Sequence, residues 1–262
     1  MMAGRFDGPF FHCCHRFMHA PSAPPTFLPA DAVAPAEPGA SGASAPATSQ
    51  PLVLDAVTLH LGGRLLMGPL DARIAPGECL SVMGPSGCGK STLLNYLAGT
   101  LPAAFTASGR VWVGGTDLTP LPPERRGAGI LFQDDLLFPH LSVGGNLAFA
   151  LPAAVRPAAA RRARIDAALA ECGLQGFARR DPATLSGGQR ARVALVRTLL
   201  AAPRVLLLDE PFSQLDTRLR SDFRQWVFGH ARRHGLPTLL VTHDRADAEA
   251  AGGRVIELQA PA

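Results

Sequence analysis

Lysine is almost missing from this chain. Of the 25 basic residues in 262, 24 are arginine and one, Lys90, is lysine. A chain that uses the planar guanidinium for every other positive charge uses a compact ammonium once, which marks Lys90 as a position where a point charge is wanted. Charge of either sign is sparse, at 18% of residues with a net of +4. A balance this mild lacks the concentrated basic face of a nucleic-acid protein, so no nucleic-acid partner is expected. No uninterrupted apolar run approaches the roughly 18 residues of a spanning helix, so no membrane span is expected. Five cysteines, two of them adjacent at Cys13 and Cys14, do not form a disulfide framework. That usage points to a reducing compartment. What is plentiful is apolar surface. At 47% hydrophobic, the chain can bury a core of ordinary domain size.

The first fifty residues differ from the rest. Residues 32–50 are almost entirely Ala, Pro, Gly, Ser and Thr, too little apolar surface to offset ordering entropy. Residues 1–50 are therefore expected to be a disordered low-complexity extension, and residues 51–260 a single domain. The start of the chain lacks the clean apolar run of a secretory signal. His12, Cys13, Cys14 and His15 lack the two spaced ligand pairs of a zinc site and are taken as part of the tail. From Pro51 onward, apolar alternation over 52–61 predicts a strand, and Gly62-Gly63 a turn. Residues 70–74 are expected to pair back, 79–83 to form a short strand, 91–98 a helix and 110–113 an edge strand. Helical spacing marks 158–172 and 189–201. The continuous apolar runs 205–208 and 238–241 suit strands of a parallel sheet buried on both faces. Strands alternating with helices predict an α/β core.

One motif carries specific chemistry. Gly84-Pro85-Ser86-Gly87-Cys88-Gly89-Lys90-Ser91 fits G-x-x-x-x-G-K-[ST], after an apolar strand and at the opening of a helix. Glycines let the backbone aim successive N–H groups at an anion, and the helix terminus adds its dipole. In this reading Lys90 reaches the β- and γ-phosphates, Ser91 ligates Mg²⁺, and Thr92 completes the phosphate-binding set. A single lysine also excludes a second loop of this kind, so the chain holds one nucleotide cassette. Well downstream, the apolar run from Val205 ends in Asp209 and Glu210. Asp209 suits a water-mediated Mg²⁺ contact and Glu210 the general base for an attacking water. Such a pair is a common strand ending, and its weight comes from the phosphate loop upstream.

Leu185-Ser186-Gly187-Gly188-Gln189 resembles the signature motif of ATP-binding-cassette (ABC) ATPases. The order of phosphate loop, Gln133, signature, Val205–Glu210, Ser213–Asp216 and His243 is similar to that family over about residues 52–258. Residues Gly129 to Leu151 look most like the ATPases of bacterial importers. The resemblance implies a P-loop NTPase fold with a RecA-like parallel-sheet core, a small antiparallel β subdomain and a helical signature subdomain. It implies ATP and Mg²⁺ as cofactors. Ser186, Gly187, Gly188 and Gln189 would form a second anion site, Gln133 would contact Mg²⁺ or the attacking water, and His243 would orient Glu210. Asp209, Ser91 and Gln133 would make up the metal set, and Asp216 would lie along a dimer contact.

Both anion sites of one chain lie on one face, so two cassettes are expected to pair head to tail, as a homodimer or heterodimer. Further partners implied are integral-membrane permease subunits and, for an importer, a periplasmic substrate-binding protein. The place of action would be the cytoplasmic face of the inner membrane, peripherally. The function implied is ATP hydrolysis energising import. The alternatives weighed are an exporter or lipoprotein-release ATPase and a soluble ABC ATPase. Two departures stand out. Leu61, beside His60, occupies the place where the family usually stacks an aromatic ring on adenine, and Gln214 stands where it more often has Ala. Weak selectivity for adenine is therefore expected. Phe138-Pro139-His140 is apolar for a solvated loop, which fits either a surface that docks a partner or, for Phe138, packing in a satellite core.

Overall fold

The computed structural model describes residues 50–259. The expectations for the low-complexity extension and for His12 to His15 lie outside the described residues. In chain order the elements are β1 (Leu52–Leu61), β2 (Arg64–Ile74), β3 (Cys79–Met83), α1 (Lys90–Ala98), β4 (Phe105–Val113), β5 (Thr116–Asp117), α2 (Pro123–Arg126) and β6 (Ala128–Leu131). Then follow α3 (Val143–Ala150), α4 (Ala158–Glu171), α5 (Gly187–Leu200), β7 (Val205–Asp209), α6 (Thr217–Arg233), β8 (Thr238–Val241), α7 (Arg245–Ala251) and β9 (Gly253–Glu257).

The strands form two sheets. An antiparallel sheet runs in the order β2-β1-β4-β5, and a parallel sheet in the order β6-β7-β8-β3-β9. The expected α/β class is what forms. The expected edge strand at 110–113 is corrected: it is the end of a nine-residue strand lying between β1 and β5, because Trp112 and Val113 pair outward with Asp117 and Thr116.

The parallel sheet shows why its strands are apolar throughout. Along β7, Val205 and Leu207 enter one core while Leu206 and Leu208 enter the other. On β8, Leu239 and Val241 face the first core and Leu240 the second. With both faces covered, alternation of polar and apolar residues disappears. One core lies between this sheet, α1 and the antiparallel sheet, whose Leu52, Leu54, Val57 and Leu59 line it. The other is roofed by α3, α4, α5 and α6, with Phe212 edge-on to Phe223 and Phe228 at its centre.

Arg126, 5% exposed, fastens α1 to the connection between β5 and α2. Its guanidinium donates to the carbonyls of Tyr96 and Leu97 at the end of α1, and to those of Leu121 and Thr119. A cation there meets the negative end of the helix dipole as well as four acceptors. Among the described residues no helix is long and apolar enough to cross a membrane.

Leu207 is fully buried on the second strand of the parallel sheet. Leu207→Ala is expected to cost about 2–5 kcal/mol, the range for emptying such a site. The shift of the urea unfolding midpoint at unchanged slope measures it.

Candidate functional site

β7, β8 and β3 are neighbours in the parallel sheet and run in the same direction. The loops that leave their C-terminal ends therefore emerge side by side, the usual place for a ligand in such a sheet. These loops are residues 84–89, 210–216 and 242–244; they carry Gly84 to Gly89, Glu210 and His243, while Lys90, Ser91 and Thr92 open α1 and Asp209 ends β7.

The first loop turns directly into α1. Gly89 caps that helix with a left-handed backbone at φ 96°. A side chain there would be strained, and a Cβ would stand 3.1 Å from Leu66. Gly87, at φ 82°, has nothing within 4 Å of where a Cβ would be, so the loop is open at its tip. Lys90 is 8% exposed. Its ammonium folds back to donate to the carbonyls of Gly84 at 2.9 Å and Pro85 at 2.8 Å. The cation is thus held over the cradle rather than extended into solvent. Pro85, Ser86 and Gly87 are exposed, while Cys88 and Gly89 are buried. Thr92, half-buried, follows Ser91 in the first turn of the helix.

Asp209, the last residue of β7, is 9% exposed. Burial raises its carboxyl pKa above the usual carboxylate range, and the neighbouring charge of Glu210 adds to this. The Ser91 hydrogen bond and the Lys90 charge pull it back. The three side-chain influences come from Ser91, Lys90 and Glu210, which surround Asp209. An oxygen pair of hydroxyl and carboxylate fits a hard divalent cation, and a set this small fits Mg²⁺, which keeps waters and phosphate oxygens in its shell.

Glu210 has φ 45°, a sparsely populated conformation for a residue with a side chain. Three hydrogen bonds hold the backbone there. Its N–H donates to Val241, and its carbonyl accepts from the Ser213 hydroxyl and the Ser213 N–H. This twist turns the carboxylate toward β8, where His243 Nδ1 donates to Glu210 Oε1 at 2.9 Å. The His243 ring is otherwise open, with its side chain 67% exposed. The loop that presents it is anchored from below. The Thr242 hydroxyl donates to Asp247, the Asp244 N–H donates to Thr242, and Arg224 of α6 pairs with both Asp244 and Asp247.

The signature residues lie at the start of α5. Ser186 caps the helix by accepting from the Gln189 N–H, and the Gln189 side chain accepts in return from the Ser186 N–H. This reciprocal capping box was not read from the sequence, although Ser followed three residues later by Gln is its signal. It occupies the Gln189 side chain and leaves Gly187 and Gly188 at the positive end of the helix. Gln133 is exposed on the loop after β6. That loop is gripped by α5: Arg190 pairs with Asp135 at 3.2 Å, and Arg197 donates to the carbonyls of Asp135 and Leu136. Asp216 caps α6 by accepting from the Leu219 N–H.

At the end of β1, Leu61 is 45% exposed, and its partner across the sheet is Phe105. Tyr96 is buried and donates to the Gly109 carbonyl, so it belongs to the scaffold. The sequence reading missed Arg190, Arg197, Arg224 and Asp247, which act through contacts distant in the chain.

This arrangement of phosphate loop, acidic strand end and histidine on a parallel sheet defines a P-loop nucleotide hydrolase. The comparisons with known proteins narrow it. Residues 67–213 match the family model described as ABC transporter. Over 194 residues the chain is 50% identical to the protein named "Uncharacterized ABC transporter ATP-binding protein YnjD" of Escherichia coli K12, covering 74% of this chain and 89% of that one. It is 42% identical over 216 residues to the putative 2-aminoethylphosphonate import ATP-binding protein PhnT of Salmonella typhimurium. That match covers 82% of this chain but 55% of the relative, so the chain spans little more than half of that relative's length. Among solved structures, the dimeric cassette MJ0796, a bacterial ABC transporter cassette, superposes with a TM-score of 0.69 at 30% identity, covering 79% of this chain and 94% of that one. Its post-hydrolysis dimer bound to ADP and Pi gives 0.70 at 29% identity, covering 80% and 97%. The chain belongs to the ABC transporter family, and as a cassette of that family it binds ATP and hydrolyses it.

Because burial disfavours the Asp209 carboxylate, Asp209→Asn is expected to raise Tm at pH 7. A carboxyl with a raised pKa lowers stability above its folded-state pKa, and the penalty fades as pH falls through the carboxylate range and the group protonates. The gain from Asp209→Asn should therefore shrink in acid, which thermal unfolding across pH reads directly.

Proposed function

We propose that this chain is the energy-coupling subunit of a membrane importer, working as one of two paired cassettes on separate permease subunits. The carrying observation is the Glu210–His243 hydrogen bond at the sheet edge that also presents Lys90, Ser91 and Asp209.

The residues divide the work as follows. The backbone N–H groups of Gly84 to Gly89, with Ser91 and Thr92 at the helix start, receive the phosphates of ATP. Lys90 supplies its charge once it leaves the carbonyls of Gly84 and Pro85. Ser91, Asp209 and Gln133 would hold Mg²⁺, which would neutralise charge on the phosphate oxygens. Glu210 accepts the proton of the water that attacks the γ-phosphate, and His243 keeps the Glu210 carboxylate aimed at that water. Gly187, Gly188 and the Ser186 cap face the nucleotide of the opposing cassette, with Gln189 bracing that turn. The dimeric form of MJ0796 supports such pairing.

Coupling to the membrane uses the loop after Gln133. Leu136 is 58% and Phe149 72% exposed, and Phe138 packs edge-on against Phe149. This apolar patch, hung on the loop that carries Gln133, suits a permease segment. On this reading the chain works peripherally at the cytoplasmic face of the membrane. The import name of PhnT and the importer-like stretch from Gly129 to Leu151 favour import over export. The transported substrate is set by the other subunits.

Glu210→Gln should bind ATP, hydrolyse it roughly 10²- to 10⁴-fold more slowly and accumulate as a nucleotide-bound dimer. Lys90→Ala should lose tight binding. Normal turnover by Glu210→Gln would refute the base assignment. A tagged chain recovered from detergent-solubilised membranes should bring down a multi-span membrane protein in stoichiometric yield. Recovery of soluble proteins alone would refute the transport role.

A further inference from the structure

The segment from Glu210 to Asp216 is folded on itself. Ser213 bonds back to Glu210, the Leu215 N–H donates to Phe212, and the Asp216 side chain turns forward to cap α6. Gln214 departs from this pattern. Its Nε2 donates to the carbonyl of Gln133 at 3.1 Å, across 81 residues of sequence. Its Oε1 lies 3.4 Å from where a Cβ on Gly187 would be, and a Cβ on Gly188 would stand 3.0 Å from Leu215. One amide thus bonds the loop that follows Glu210 to the loop of Gln133 and lies beside the start of α5. The far side of the Gln133 loop is held by Arg190 and Arg197 of α5. Gln214 supplies the hold on its near side. An alanine at 214 could not make this hydrogen bond.

We infer that Gln214 is a positioning residue for hydrolysis, fixing the Gln133 peptide relative to Glu210 and the signature turn. The inference rests on the site reading above. It requires the amide donor, because what Gln214 meets is a carbonyl oxygen. Gln214→Glu keeps the size and one oxygen but turns an acceptor toward that carbonyl. Gln214→Ala removes both ends.

The test uses the purified full chain. In both variants kcat should fall about two- to tenfold, the range that one net amide hydrogen bond supports, with KM for MgATP within about twofold and Tm nearly unchanged. Amide hydrogen exchange over residues 133–136 should quicken in both, a local change that a general packing defect would not confine there. Wild-type kcat in both variants, a Gln214→Glu variant that matches wild type, or unchanged exchange over 133–136 would overturn the inference. Glu210→Gln measured alongside separates the two readings. If it turns over normally, the site reading fails. If it is inactive while Gln214→Glu is normal, only this inference fails.

Discussion

Everything at the site depends on parallel strands ending together. Hydrogen bonding in the order β7-β8-β3 puts the C-terminal ends of three strands along one edge, and each strand hands its loop to the same space. Lys90, Glu210 and His243 come from positions spread over more than half of the sequence, and the sheet register alone makes them neighbours. The register in turn depends on two cores, because β7 and β8 send alternate side chains to opposite faces. A one-residue slip would exchange the faces of every residue in the strand and pull its loop away from the edge.

Around this rigid edge, arginine does the fastening. Arg126 ties α1 to its surroundings, Arg190 and Arg197 tie α5 to the loop of Gln133, and Arg224 ties α6 to the loop of His243. Most of these guanidiniums donate to backbone carbonyls or to buried carboxylates, where the five-donor fork satisfies several acceptors at once. The consequence is a division of labour between the two cationic side chains. Arginine positions elements, and the single lysine stands in the glycine-rich loop.

Much of this was legible in the sequence, for physical reasons. The runs at 79–83, 205–208 and 238–241 announced buried parallel strands because four or five mostly apolar residues in a row suit a strand covered on both faces. The phosphate loop announced itself because glycine is needed where φ is positive. Other elements gave no such signal. β6 is only four residues long and opens with Ala128 and Gly129, the latter lying against Pro203 and Thr198 where a Cβ would come within 2.9 Å, so Ile130 and Leu131 alone are too short an apolar run to announce a strand. β9 is an edge strand with mostly exposed side chains, so its alternation is lost. The bonds from Gln214 to Gln133 and from Arg224 to Asp247 join residues far apart in the chain, and no local pattern encodes them.

The scarcity of lysine has a practical side. A chain with one ε-amine offers an acylating reagent just that amine and the amino terminus. Lys90 is nearly sheltered and spends its hydrogens on two carbonyls of its own loop. Its reaction rate therefore measures how often the loop releases it, and a ligand that takes over those hydrogens changes that rate. The protein carries a built-in reporter of phosphate-loop opening, the acylation of Lys90, which peptide mass mapping separates from that of the amino terminus.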